Sequence, residues 1–458
     1  MNVEETLVSN ILKTGYEDIP HNIVQITKRQ ILDGLGVILA GTTADGIKEL
    51  VELMQEWGGA EQATIIGHGI KVPAPNAAQV NAAMMHALDF DDSSDVAAMH
   101  PGVPILSTCL ALAEYLGKLS GRDFITCMAL GTNFVHRMGR ATRPKGALVN
   151  IGWHTTSMYG YLGSAAISSK ILNLNPTQTL NAFGIAFHQS AGTLQCVFDG
   201  AQTKRMGAGF AARGGMVAAL MARKGITGAS HWLTGLAGMI NVYHNGDFDT
   251  NILLKDFTTR FDALDLTFKP YPCCRITHCF IDAALKLINE NGITKDMVKE
   301  ITVFGGEGAY NLCVPLEDRC SPKNTVASQF SVPWAVATAI VKRKATISDF
   351  GERAIKDPAT LDITHKITPI LDGSLVGHGI QPGKITIKTL DGKEFTAQED
   401  CPLGNPEKPM SQAQFEAKFR DCASHAIKPL SEKKIARLTG LVNNLEQLDD
   451  VTEIIKSL

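Results

Sequence analysis

The chain has 458 residues, 45% hydrophobic and 19% charged, with a formal net charge of -3. That mix is globular and excludes a mainly disordered or collagen-like chain. The balance of 43 basic against 46 acidic side chains offers no global attraction to nucleic acid or an anionic membrane. No apolar run approaches the roughly 18–20 residues that span a bilayer. The start, Met1-Asn-Val-Glu-Glu, has no basic region ahead of an apolar stretch, so a cytoplasmic protein is expected. Ten cysteines are too sparse for a disulfide scaffold and are expected reduced.

The first 265 residues or so read as successive helices. Residues 22–40 place Ile26, Ile31, Leu35 and Ile38 on a helical stripe, with Gly41 as its stop. Residues 77–90 are rich in Ala and Met, and 103–117, 122–136, 177–191 and 208–224 follow in the same style. The texture changes near Lys269. Residues 298–304 alternate and carry β-branched side chains, and 384–398 read as a hairpin around Asp391-Gly392 in a type I′ turn. Segments 275–292 and 328–343 read as helices. After Pro402, Pro406 and Pro409, Ser411 restarts helix to the C-terminus. The fold class is therefore mainly α: a large all-helical domain of residues 1–267 and 403–458, with a smaller α+β domain, 268–402, inserted as a lid. Ligand sites favour the cleft between two such domains.

Four clusters could carry chemistry. In the first, His86, Asp89, Asp91, Asp92, Asp95 and His100 fall within fifteen residues at the end of an apolar helix. His86 and Asp89 are neighbours at i, i+3 if that helix persists, and Asp89 and Ser93 at i, i+4. Acids at a helix C-terminus oppose its dipole, so a merely solvated end is the weaker reading. A metal site is the rival, but the spacing lacks the glycine of an EF-hand loop. The second is Gly152-Trp-His154-Thr-Thr-Ser157, where three hydroxyls could fix one imidazole.

The third places Lys204 and Arg205 before Gly207-x-Gly209-x-x-Ala212. Cations ahead of a Gly-rich helix start suit an anion. A dinucleotide site would need a preceding strand and a later acid, and neither is present. The fourth is Lys269-Pro-Tyr-Pro-Cys-Cys-Arg275-Ile-Thr-His278 at the expected domain junction. Its cysteines lack the spacing of ferredoxin-type clusters and read as buried thiols. His21, His68, His188, His231, His244, His365, His378 and His425 read as ordinary structural or surface histidines.

Together these motifs resemble the MmgE/PrpD family, whose activities are 2-methylcitrate dehydratase, cis-aconitate decarboxylase and iminodisuccinate epimerase. The resemblance rests on HALDFDD…HPG at 86–102, GWHTTS at 152–157, TKRMGAGFAARGG at 203–215 and KPYPCCRITH at 269–278. It implies a homodimer, no cofactor or metal, and a small polycarboxylate held between the domains. It implies catalytic roles for Asp89, His100, His154, Lys204 and Lys269, with Ser93, Arg275, His278 and His86 contacting substrate. Two departures set the chain apart from the decarboxylase branch. Trp334 stands where that branch has Tyr, and the spacer from Asp89 to His100 is one residue longer. The resulting expectation is a hydro-lyase acting on a hydroxy-tricarboxylate such as 2-methylcitrate, with Asp89 orienting or charging a histidine. Epimerase and decarboxylase are the alternatives. A metal-dependent hydrolase on His86, Asp89, Asp91 and His100 is more distant.

Overall fold

A computed structural model describes residues 1–142, 152–376 and 382–458; His378 lies outside them. The helices run α1 (Val3–Lys13), α2 (His21–Gly41), α3 (Ile47–Trp57), α4 (Ala74–His86), α5 (Gly102–Leu116), α6 (Gly121–Ala141), α7 (Thr155–Ile171), α8 (Pro176–Gln189), α9 (Gln195–Phe198), α10 (Thr203–Arg223), α11 (Met239–His244) and α12 (Thr250–Leu254). They continue as α13 (His278–Glu290), α14 (Glu307–Asn311), α15 (Leu316–Cys320), α16 (Thr325–Gln329), α17 (Val332–Lys342), α18 (Pro358–Thr364), α19 (Gln412–Ser424), α20 (Glu432–Asn443) and α21 (Thr452–Ser457). Strands are few, so the chain is mainly helical. The ten cysteines are all free thiols.

Buried apolar side chains form two cores. One draws on residues 7–268 and 410–455, the other on 273–397. In the first, α4 is buried on every side except at Pro75. Its alanines let α2, α5 and α10 pack closely around it. The second core is a four-stranded sheet, β5 (Val298–Gly305), β6 (Ile367–Leu371), β7 (Gly383–Thr389) and β8 (Glu394–Glu399), in the order β6-β5-β7-β8. Only β5 and β6 are parallel. Helix α13 covers one face, with α17 packed against it. β7 alternates buried and half-buried residues, the period-2 pattern of a strand packed on one face.

Three expectations need correction. The α4 helix ends at His86, so the i, i+3 and i, i+4 pairings proposed for Asp89 do not form. The helix start expected near residue 208 lies at Thr203, which puts Gly207 and Gly209 inside α10. In the β7–β8 hairpin only Gly392 takes positive φ, at 82°, while a type I′ turn needs two such residues. The loop instead closes with the Gly392 N–H donating to the Thr389 carbonyl at 2.9 Å and the Thr389 N–H to the Lys393 carbonyl at 2.9 Å.

Short strands also occur early, as β1 (Ala63–Ile65) with β2 (Ile70–Val72) and β3 (Ser93–Ser94) with β4 (Leu266–Thr267). The β3–β4 pair matters most. It fixes the segment after α4 against the chain just before Lys269.

Candidate active site

The segment 87–101, which follows α4, is held by its own backbone. The Leu88 carbonyl accepts from Gln329 Nε2 at 2.7 Å, Asp89 from Lys269 Nζ at 2.8 Å and Phe90 from Lys418 Nζ at 2.8 Å. Each donor comes from a different part of the chain: α16, the connection between the cores, and α19. Lys418 also pairs with the buried Asp33 at 2.7 Å. These bonds hold Asp89 in the left-handed region, at φ 51°. Asp tolerates that conformation better than most residues, but it still costs energy that the surroundings must supply.

The Asp89 carboxylate lies between two lysines. One oxygen accepts from Lys204 Nζ and the other from Lys269 Nζ at 2.7 Å. Asp89, Lys204 and Lys269 are all buried. Burial alone would raise the carboxyl; Lys204 and then Lys269 outweigh it and hold Asp89 well below the usual carboxylate range. Burial likewise opposes the Lys269 ammonium, and Asp89 followed by Asp91 reverses that and raises it. Lys204 stands in the first turn of α10, where a cation opposes the helix dipole, so it depends on Asp89 for compensation. Two ammoniums and one carboxylate leave this buried trio with one net positive charge.

The imidazoles gather beside it. The His86 and His100 rings lie 4.8 Å apart edge to face, and His86 stacks on His154 at 5.7 Å. Asp91 Oδ2 meets His86 Nδ1 at 2.9 Å and His100 Nδ1 at 2.8 Å. His154 caps α7 and pairs through Nδ1 with Ser157 Oγ at 3.0 Å. Gly207 of α10 makes room for this pair, since a Cβ there would lie 2.2 Å from Ser157 Oγ. Burial, then Lys204, pushes His86 down to about 4. Burial, then His86 and Lys204, holds His154 well below its ordinary value. Both are therefore neutral at pH 7. The His100 side chain keeps 16% of its exposure, against 7% for Lys204 and 3% for Asp89, and is the part of this cluster that reaches outward.

Arg275 and His278, expected to contact substrate, join a buried network of protein partners. The Arg275 guanidinium faces Asp95 at 3.3 and 3.4 Å and donates to the Leu403 and Pro402 carbonyls at 2.8 and 3.3 Å. It also donates to His278 Nδ1 at 3.1 Å, while His278 Nε2 donates to the Cys273 carbonyl at 3.2 Å. Thr267 and Asn405 complete the shell of Asp95, each at 3.0 Å. This network clamps the connection between the cores to β3. Ser93 is buried in β3, and its hydroxyl has no hydrogen-bond partner among the described residues.

Sequence reasoning gave Asp89 a histidine partner, but Asp89 meets the lysines and Asp91 meets the histidines. Asp91 was in view only as a rival metal ligand. Gln329 and Lys418 were missed, since they come from distant segments with no local signature. Thr156, expected among the hydroxyls around His154, instead accepts the His100 N–H at 3.0 Å. His136, buried with Nε2 2.6 Å from Ser94 Oγ, was missed too.

Asp92, next in sequence to Asp91, accepts from Gln30 and from the Gly102 N–H at 2.9 and 3.0 Å. Burial, then Asp91, pushes its carboxyl up to about 7. Trp334 packs in the second core, and its indole N–H donates to the Asp349 carbonyl at 3.1 Å. Its one polar atom is committed there, so it gives no ground for choosing among reactions at Asp89.

His86, Asp91 and His100 bring three potential metal-ligand atoms within 4.8 Å of one another. His86 Nδ1 donates to Asp91 at 2.9 Å, and His100 Nδ1 donates to the Asp92 carbonyl at 3.0 Å with Asp91 2.8 Å away, contacts that account for the trio. Asp89, the fourth ligand of the hydrolase reading, is taken by the lysines. Among the described residues no helix is long and apolar enough to cross a membrane.

Comparison with known proteins adds the lineage. Residues 5–251 match the MmgE/PrpD N-terminal domain and residues 271–444 the MmgE/PrpD C-terminal domain. The chain is 26% identical to a cis-aconitate decarboxylase of Aspergillus terreus (strain NIH 2624 / FGSC A1156), over 96% of this chain and 93% of that protein. It is 28% identical to the Homo sapiens cis-aconitate decarboxylase, over 96% and 90%. For the Mus musculus cis-aconitate decarboxylase the identity is 26%, over 100% and 93%. With models for both halves matched in order along nearly its whole length, the chain belongs to the MmgE/PrpD family.

Proposed function

We propose that this protein is a lyase that forms a carbanion next to a carboxylate on a small tricarboxylate, without a cofactor or metal. The observation that carries the reading is the buried Lys204–Asp89–Lys269 trio, with its net positive charge, beside the partly exposed imidazole of His100. The difficulty of such a reaction is negative charge developing on an already anionic substrate. Fixed cations in a low-dielectric site stabilise that charge more than they stabilise the ground state. An imidazole placed beside the cations suits the proton transfer, worth roughly 10²–10⁴-fold.

Decarboxylation of cis-aconitate is the first reading. The relatives named above are cis-aconitate decarboxylases aligned over nearly the full chain, and Trp334 no longer argues against it. In this reaction carbon dioxide leaves, and His100 delivers a proton to the carbanion. Dehydration of 2-methylcitrate is the second reading, favoured by the presence of two more imidazoles, His86 and His154, against the ring system of His100. There one imidazole takes the α proton and another protonates the departing hydroxide. The second core, joined to the first through Lys269, Arg275 and Gln329, acts as a lid over this site.

The test is a product survey. The purified, chelator-treated protein is incubated with cis-aconitate, 2-methylcitrate, citrate and iminodisuccinate, and products are identified by NMR. Carbon dioxide release from cis-aconitate supports the first reading, and water loss from 2-methylcitrate or citrate the second. Inversion of iminodisuccinate alone would make the protein an epimerase. Activity that needs an added metal would revive the hydrolase reading.

A further inference from the structure

We propose that Asp91 is the positioning residue of the site: one carboxylate oxygen lies against Nδ1 of both His100 and His86, supplies the counter-charge to His100, and leaves His100 Nε2 as the proton-transfer atom. The chemistry assigned to His100 rests on the lyase reading above, whereas the tautomer assignment stands without it.

His100 Nδ1 faces two oxygens, Asp91 Oδ2 at 2.8 Å and the Asp92 carbonyl at 3.0 Å. A backbone carbonyl has no proton to give, so Nδ1 must be the donor. The neutral ring therefore carries its lone pair on Nε2. The backbone N–H of His100 is fixed in turn by Thr156 Oγ1 at 3.0 Å, which removes freedom at the base of the side chain.

His86 Nδ1 reaches the same Asp91 oxygen at 2.9 Å. Asp91 is held ionised: burial opposes the charge, but His100 and then His86 outweigh it. A carboxylate accepts only, so His86 also donates through Nδ1, and its Nε2 bears the second lone pair. That nitrogen is buried and has no hydrogen-bond partner among the described residues. Asp91 Oδ1 is buried and unpartnered there as well, so among the described residues the polar side-chain contacts of this carboxylate go to the two imidazoles.

The functional consequence follows from charge. When His100 Nε2 takes a proton, the imidazolium forms against a carboxylate 2.8 Å away. The other titratable groups around it are His86 and His154, both neutral at pH 7, Asp89 with its partner Lys204, and Asp92, whose backbone carbonyl faces His100 Nδ1. Asp91 is the one whose side-chain carboxylate meets the His100 ring, at 2.8 Å.

Asp91→Asn keeps the shape, removes the charge and puts an amide that both donates and accepts between two rings that both need an acceptor. We expect kcat to fall by roughly 10²–10⁴-fold, the usual worth of a general acid or base. The limb of the kcat/KM profile set by His100, the alkaline limb where the ring gives a proton and the acid limb where it takes one, should move to lower pH, because the imidazolium loses its counter-charge. Asp91→Glu should return the limb towards its wild-type position, which a merely structural role does not predict. Nitrogen-15 NMR of histidine-labelled protein, which needs no substrate, should report Nδ1–H tautomers for His86 and His100 in the wild type.

A wild-type spectrum with His100 protonated on Nε2 alone would overturn the proposal. So would a folded Asp91→Asn variant with near-wild-type kcat and both limbs unmoved. If the tautomers are as assigned but no polycarboxylate is turned over, the functional reading fails and the positioning role stands.

Discussion

Replacing Asp89 by Asn probes the electrostatics of the site most sharply. The change is isosteric, so it leaves the packing and removes one charge. Lys204 and Lys269 then share a buried pocket without their counter-ion. Breaking one buried ion pair by removing a partner costs about 3–5 kcal/mol. Two lysines lose the same partner here, so the wild type should be more stable by at least that amount at pH 6.

The deficit should depend on pH. In the wild type, burial opposes the Lys269 ammonium and Asp89 is the main group that overrides it. Without Asp89, burial prevails and the folded-state pKa of Lys269 falls below its unfolded value. The folded variant then binds fewer protons than its unfolded chain as pH rises through that lowered pKa, so its stability relative to the wild type recovers. Urea unfolding of both proteins at pH 6, 7.5 and 9 would measure this. A deficit below about 1 kcal/mol, or one that stays constant across that range, would refute the reasoning.

Three further outcomes are expected. His100→Ala and His154→Ala should each lower kcat by roughly 10²–10⁴-fold; if both keep near-wild-type turnover, the histidine assignment falls. Gln329→Ala leaves the buried Leu88 carbonyl without its donor and should cost about 1–3 kcal/mol in a thermal or urea melt, with a lower kcat as the Asp89 backbone loosens. The protein should be a homodimer through the helical domain, since Phe210 and Met221 of α10 are exposed in the single chain; light scattering that returns the mass of one chain at micromolar concentration would contradict this.

Much of the architecture was legible because it is written in local periodicity. The helices over 22–40, 103–117 and 177–191 and the strands at 298–304 and 384–398 all occur within a few residues of where patterning puts them. The end of α4 was not legible. Residues 87–90, Ala-Leu-Asp-Phe, suit a helix, and only tertiary bonds from Gln329, Lys269 and Lys418 pull them out of it.

The same limit explains the partner assigned to Asp89. Sequence spacing puts His86 nearest, whereas the β3–β4 pairing brings Lys269 across from 180 residues away. Arg275 and His278 were visible as polar residues at a junction. Their role in tying the connection down depends on Asp95 and on the carbonyls of Pro402 and Leu403, which no local motif announces.

The most direct test of the central claim is deuterium labelling during turnover. The wild-type protein is given its productive tricarboxylate in deuterated water, and both product and recovered substrate are analysed by NMR and mass spectrometry. A carbanion next to a carboxylate predicts deuterium on that carbon, in the product for decarboxylation or in the recovered substrate for reversible dehydration, with labelling strongly slowed in His100→Ala. Full turnover that leaves every carbon-bound position unlabelled in both pools would contradict it.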